Sequence, residues 1–117
     1  MSGCELCTPA DLVAENDLAY ARYDSNSLCR VHVIVVPRRH VADFFAMTEA
    51  EQGAVLALLR NAKSIVAEKY SPDGYNIGAN VGAAAGQSRM HVHFHLIPRY
   101  RGDVENPSGG IRRALKP

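Results

Sequence analysis

Apolar positions recur with two periods along the chain, and these periods predict its secondary structure. Residues 48–70 repeat apolar side chains at helical spacing, and Thr48 followed by Glu51 is the sequence of a capping box. Four other segments carry the alternating or continuous β-branched and aromatic residues typical of strands. These segments are residues 17–24, 30–37, 75–80 and 90–98. The order strand, strand, long helix, strand, strand predicts an α+β domain in which an antiparallel sheet packs on one main helix.

Length and charge limit the class of protein. The chain has 117 residues, enough for one modest core, so we predict a single domain over residues 1–117 with an extended polar tail at 100–117. The formal net charge of +1 gives no field that would attract nucleic acid or an anionic membrane. Apolar runs such as "VIVV" are too short to cross a bilayer. The start "MSGCELCTP" lacks the features of a signal peptide, so we expect a cytoplasmic protein.

Three cysteines in such a compartment argue against a disulfide framework. The spacing of Cys4 and Cys7, with two residues between them, then favours a metal site or a redox pair. The spacing alone does not choose between these two.

The stretch "MHVHFHLIPR" places His91, His93 and His95 at every second position, as one face of a strand would. Alternate side chains on a strand lie roughly 6.5–7 Å apart, so the first and third are about 13 Å apart. Two of these histidines can chelate one ion, but the third is out of its reach. The row is therefore a candidate for a proton, phosphate or nucleophile role, since neutral imidazole is nucleophilic near neutral pH.

A small-residue loop, "VGAAAGQS", precedes the histidine row. Small side chains let a ligand approach the backbone N–H groups closely, and Gln87 and Ser88 add polar groups. Loops of this composition are usually only turns, so the loop alone is a weak indication of a phosphate site.

Together these residues resemble the histidine triad (HIT) superfamily, whose motif is His-φ-His-φ-His-φ-φ with φ apolar. The motif is met by "HVHFHLI" at residues 91–97, and the resemblance extends through "GYNIGANVGAAAGQS" and "AYARYD…VHVIVVPRRHV" to about 4–101. It implies a HIT-like fold, with an antiparallel sheet of about five strands and one long helix packed on it. It also implies a homodimer that uses the helix and a sheet edge.

The resemblance implies an enzyme, a nucleotide hydrolase or nucleotidyl transferase acting at the α-phosphate of a nucleoside 5′-phosphoramidate or dinucleoside polyphosphate. His93 would form a covalent nucleotidyl-histidine, His95 would contact the phosphate, and Ser88 would relay a proton. The reaction would release a purine nucleoside monophosphate such as AMP and would need no metal. The nucleotide would be bound by Asp24 at the ribose hydroxyls, and by Asn80, Gly86, Gln87, Ser88, His93 and His95.

Several bacterial members of the superfamily carry an N-terminal Cys-x-x-Cys that holds a structural zinc ion with two histidines. The resemblance assigns this role to Cys4, Cys7, His40 and His91, with residues 1–15 as the zinc-binding segment. We interpret Cys29 as a structural residue. His32 alternates with valines expected to be buried, so it is either a core or a site-facing histidine, and we favour a structural role.

Two other functions remain open. One is a nucleotide-binding sensor or scaffold with vestigial catalysis, and the other is a zinc-dependent hydrolase that uses His91 and His93 on the metal. The loop "SNSLCRVH" departs from the family pattern, so the nucleobase preference does not follow from the resemblance.

Overall fold

The structure is a computed structural model that describes residues 3–24 and 31–115. Five strands form one antiparallel sheet in the order β1-β2-β3-β5-β4. The strands are β1 Leu12–Glu15, β2 Ala19–Tyr23, β3 Val33–Pro37, β4 Gly74–Gly78 and β5 Phe94–Arg99. One long helix, α1, spans Glu49–Tyr70 and packs across the sheet. This architecture confirms the α+β fold and the long helix that the sequence predicts.

The predicted capping box starts α1. The Thr48 hydroxyl accepts a hydrogen bond from the Glu51 backbone N–H at 3.1 Å, and the Glu51 carboxylate accepts from the Thr48 N–H at 2.9 Å. The same carboxylate accepts two hydrogen bonds from the Arg39 guanidinium, at 2.9 and 2.8 Å. The pKa of Glu51 is lowered to about 2, and its hydrogen bonds with Arg39 are the largest cause. The start of the helix is therefore joined to the basic segment that follows β3.

The sheet separates two apolar clusters, because side chains alternate between its faces. On one face, buried residues such as Val33, Val35 and Leu96 pack with α1 in the main core. On the other face, Ile34 and Tyr20 belong to a smaller cluster. His95 pairs with Ile34 across β3 and β5, so its side chain lies on the face away from α1.

Strand β5 begins at Phe94, four residues later than the sequence predicts. Its pairing with β3 ends where Val35 meets Phe94. Further along β3, Pro37 has no N–H to continue the ladder, and the Val92 N–H instead donates to the Val41 carbonyl at 2.9 Å. His91 and His93 therefore lie just before the strand.

Other differences are local. The pattern does not identify β1, which is short and carries an irregular register between Leu12 and Ala14. Within the predicted tail, Gly110–Leu115 forms a 3-10 helix. Cys29 and most of the "SNSLCRVH" loop lie outside the described residues. Of the helices in residues 3–24 and 31–115, none is long and apolar enough to cross a membrane.

Candidate active site and metal centre

The three triad histidines meet at the start of β5, where a loop enters the sheet. His91 and His93 are buried, with 0% and 7% of their surface exposed, and His95 is the second residue of the strand. The rings of His93 and His95 lie 5.0 Å apart, nearly perpendicular to each other. The structure thus brings the predicted nucleophile and the predicted phosphate contact together.

The backbone fixes the protonation pattern of His93. Its Nδ1 lies 3.0 Å from the His91 carbonyl oxygen. Since a carbonyl only accepts, Nδ1 must carry the hydrogen, and in the neutral ring the lone pair lies on Nε2. Burial lowers the pKa of His93 below its usual 6.5, and the positive charge of Arg89 also acts in that direction. The ring is therefore neutral at neutral pH, as a nucleophile requires.

His95 is held by His32. The two rings share a hydrogen bond of 2.8 Å between His95 Nδ1 and His32 Nε2, and His32 Nδ1 lies 3.8 Å from the Asp24 carboxylate. The pKa of His95 is lowered to about 4, mainly by burial and to a smaller extent by the neighbouring His93 and His32. The ring is neutral at neutral pH, and its Nδ1 is occupied by His32.

Of the two positions that the sequence allows for His32, the structure has the site-facing one, since its ring contacts His95. His32 precedes the buried Val33 of β3, and strand alternation places its side chain on the same face as Ile34, which pairs with His95. The alternation of side-chain faces along "VHVIVV" is the sequence signal that places His32 on the same face as Ile34. Arg89, described below, also lies beside these side chains, and the sequence analysis does not identify it.

The small-residue loop is shaped by two glycines and one glutamine. Gly82 and Gly86 adopt positive φ angles of 88° and 94°, which glycine tolerates best. The buried Gln87 amide accepts from the Gly82 N–H at 2.9 Å and donates to the Ala42 carbonyl at 2.5 Å. Gln87 thus uses its side chain to hold the loop closed, and its contact with phosphate stays a prediction.

The other predicted loop residues surround this turn. Asn80 lies beside Gly86, where a Cβ added to the glycine would come 4.0 Å from the Asn80 amide nitrogen. Ser88 is exposed at the end of the loop. The nucleotide-binding roles of Asn80 and Ser88, and the proton relay through Ser88, stay predictions.

The four predicted zinc ligands form one cluster, in which one ligand atom from each residue lies within 4.8 Å of all the others. Sγ of Cys7 lies 3.2 Å from His40 Nδ1 and 3.5 Å from His91 Nδ1, and Sγ of Cys4 lies 3.4 Å from His91 Nδ1. For Zn–S of about 2.3 Å and Zn–N of about 2.0–2.1 Å, a tetrahedral site needs sulfur–nitrogen separations of about 3.5 Å. The residues present therefore fit a zinc ion.

The chemistry of the donors agrees with this fit. His91 Nε2 lies 2.7 Å from the Pro37 carbonyl and must donate to it, so Nδ1 faces the thiols as a lone pair. Burial and the adjacent Cys4 raise the pKa of the Cys7 thiol, and a bound divalent cation would reverse that effect.

Comparison with known proteins gives consistent matches. Residues 5–102 match the family model described as "HIT domain". An uncharacterized HIT-like protein of Methanocaldococcus jannaschii is 39% identical over 97 residues, which cover 83% of this chain and 74% of that protein. An AP-4-A phosphorylase of Mycobacterium tuberculosis is 33% identical, over 80% of this chain and 48% of its own. The solved structure of a HIT family hydrolase from Clostridium thermocellum superposes with a TM-score of 0.68 at 29% identity, covering 84% of this chain and 91% of that chain.

Proposed function

Because the chain belongs to the HIT family, we propose that it is a nucleotide hydrolase or nucleotidyl transferase acting at a nucleoside α-phosphate. Its substrate would be a nucleoside 5′-phosphoramidate or a dinucleoside polyphosphate, and the product a purine nucleoside monophosphate. The observation that carries this proposal is the fixed tautomer of His93, whose Nδ1–H is bound by the His91 carbonyl. Its Nε2 is thereby held as a neutral nucleophile.

In the first proposed step, Nε2 of His93 attacks the α-phosphorus. The bond from phosphorus to the leaving group breaks, and the leaving group takes a proton, for which Ser88 is the proposed relay. The His91 carbonyl keeps its hydrogen bond to Nδ1–H and stabilises the positive charge that develops on the ring. In the second step, water attacks phosphorus and loses a proton to solvent, the bond from phosphorus to Nε2 breaks, and His93 leaves as neutral imidazole.

The remaining site residues bind the substrate in this proposal. His95, oriented by His32, contacts the α-phosphate oxygens. Asp24 accepts hydrogen bonds from the ribose hydroxyls, and Asn80 and the loop from Gly86 to Ser88 surround the phosphate. The Mycobacterium tuberculosis relative is an AP-4-A phosphorylase, which supports a dinucleoside polyphosphate as one substrate to test.

The zinc-dependent hydrolase is not favoured by the geometry. Among the described residues, the metal cluster that contains His91 does not include His93. His93 directs its Nδ1 to a backbone carbonyl instead. The metal cluster and the nucleophile are thus separate sets of side chains.

The experiment for the proposed activity is to trap the nucleotidyl adduct. The protein is mixed with adenylylated phosphoramidate and dinucleoside polyphosphate substrates, quenched, and mapped by mass spectrometry. We expect AMP mass on the peptide containing His93. His93→Ala should lose turnover and the adduct while still binding AMP, since the other binding residues remain. Full turnover in His93→Ala would contradict the covalent mechanism.

We also propose that Cys4, Cys7, His40 and His91 hold a structural zinc ion, supported by their tetrahedral spacing. When bound, the ion would fix the N-terminal segment to the sheet and take no part in the chemistry. We expect one zinc per chain by elemental analysis, lost in Cys7→Ser. A chelator that stops turnover at once, without loss of secondary structure, would contradict a structural role.

A homodimer in the cytoplasm is the proposed state of the protein. Strand β4 is an edge of the sheet, its Ile77 is 48% exposed, and Leu56 of α1 is 59% exposed. Large apolar side chains beside an open strand edge favour association with a second copy. Sedimentation should give a dimer for the wild type and a monomer for Ile77→Asp. A monomeric wild type would contradict this proposal.

A further inference from the structure

Arg89 connects the cysteine segment with the nucleotide site. Its Nη1 donates to the Glu5 carboxylate at 2.5 Å, and its Nη2 lies 3.8 Å from Oδ1 of Asp24. Glu5 stands between Cys4 and Cys7, in the 3-10 turn that carries both thiols. One side chain therefore touches the segment that the metal ligands come from and the carboxylate proposed to bind the ribose.

The three side chains differ in burial. Only 8% of the Asp24 side chain is exposed, against 26% of Arg89 and 56% of Glu5. Ionised carboxylates that are this buried need a compensating charge. His32 faces the other oxygen of Asp24, but burial lowers the pKa of His32, so it is neutral at neutral pH. Arg89 carries a full positive charge at all relevant pH values.

Glu5 sets how close that charge comes to Asp24. In the structure the guanidinium stays in hydrogen-bond contact with Glu5 and at ion-pair distance from Asp24. If the cysteine segment moved away, Arg89 could turn fully toward Asp24 and hydrogen-bond to it. It would then occupy the oxygen atom that the ribose hydroxyls need.

We propose that Arg89 is a positioning residue that couples the order of the Cys4–Cys7 segment to nucleotide binding. This inference rests on the proposed function, because it assumes that Asp24 binds the nucleotide. Whatever orders the segment, such as a bound zinc ion, strengthens nucleotide binding through Glu5 and Arg89. Such coupling is reciprocal, so a bound nucleotide strengthens metal binding by the same factor.

The test is a double-mutant cycle on the zinc-loaded protein, with AMP affinity measured by calorimetry. Glu5→Gln should weaken AMP binding by about two- to fivefold, the range of a partly exposed ion pair. In the Arg89→Gln background the same Glu5→Gln change should have no effect, because Glu5 acts only through Arg89. Partial removal of zinc by a chelator should likewise weaken AMP binding in the wild type and not in Arg89→Gln.

A matched control comes from another surface ion pair. Glu15 is 54% exposed and contacts Arg38 at 2.7 Å, much as Glu5 contacts Arg89. Glu15→Gln should leave AMP affinity unchanged. Circular dichroism verifies that each variant is folded. If Arg89→Gln does not fold, Arg89→Lys replaces it in the cycle, since a lysine ammonium cannot contact two carboxylates with a planar fork.

Three results would overturn the coupling. Glu5→Gln could bind AMP as the wild type does, which would leave Arg89 acting on the nucleotide directly or not at all. Glu5→Gln could weaken binding equally with and without Arg89, or the Glu15→Gln control could weaken it as much. By contrast, a zinc-loaded wild type that does not bind AMP would refute the proposed function itself, and the coupling with it.

Discussion

At the residue scale, His32 determines how the ring of His95 is presented. The 2.8 Å hydrogen bond between them occupies His95 Nδ1 and directs the opposite nitrogen, Nε2, away from His32. The other ring nitrogen of His32 faces the Asp24 carboxylate, so Asp24, His32 and His95 are neighbours in that order. The substrate contacts proposed for His95 would therefore depend on a residue that immediately precedes the neighbouring strand β3.

We predict that His32→Ala lowers kcat by about 10- to 100-fold with little change in KM, because a misaligned His95 stabilises the transition state poorly. His32→Gln should recover part of the loss, since its amide can still hydrogen-bond to His95. Steady-state kinetics on an adenylylated phosphoramidate measures both parameters. A kcat equal to that of the wild type in His32→Ala would show that the hydrogen bond has no catalytic role.

At the element scale, the first turn of α1 is joined to the segment after β3 that carries His40, one of the proposed metal ligands. Glu51 caps the helix through Thr48 and also binds Arg39, the residue before His40. Only 5% of Glu51 is exposed, so its charge is compensated by the guanidinium. The start of α1 thereby restrains Arg39, the residue that precedes His40 in the chain.

Removing the cap should destabilise the whole domain. We predict that Thr48→Ala lowers the free energy of unfolding by about 1 kcal/mol, since the Glu51 N–H loses its acceptor. Ser64→Ala, which removes an exposed hydroxyl that bonds within the same helix, should change stability by less than about 0.5 kcal/mol. Urea unfolding followed by circular dichroism compares the two. If both variants lost the same free energy of unfolding, the Thr48 cap would contribute no more than an exposed hydroxyl within the helix.

Helix α1 and strand β5 differ in how well the sequence predicts where they begin. Helical spacing and the Thr48–Glu51 pair predict α1 to within one residue, because both signals are local. The start of β5 is not set locally, since the pairing with β3 ends at Val35 and Phe94, two residues before Pro37 of that distant strand. The contacts of His32 and Arg89 could not be predicted for the same reason, because their partners His95, Asp24 and Glu5 are brought near only by the fold.

At the scale of the whole molecule, four histidines have lowered pKa values. They are His32, His91, His93 and His95, and burial is the largest cause of the lowered pKa in each of them. In the unfolded chain a histidine takes up a proton near pH 6.5, whereas the folded protein protonates His95 only at about 4. Between these values the unfolded state binds more protons than the folded state.

We therefore predict that the free energy of unfolding falls as pH is lowered from about 6.5 to about 4. His95→Asn should make this dependence less steep, because one of the groups with a lowered pKa is removed. Urea unfolding at a series of pH values, on both proteins in the same buffer, measures the slopes. Identical slopes would mean that His95 titrates alike in the folded and unfolded states.

His91 serves two purposes with two different parts of its structure. Its ring points to the thiols, while its backbone carbonyl accepts from His93, the proposed nucleophile. Every amino acid has that carbonyl, so only the ring ties this position to histidine. A redesigned enzyme could thus replace the N-terminal cluster, including this side chain, by apolar packing. Its nucleophile would still be aligned by a group that no mutation can delete.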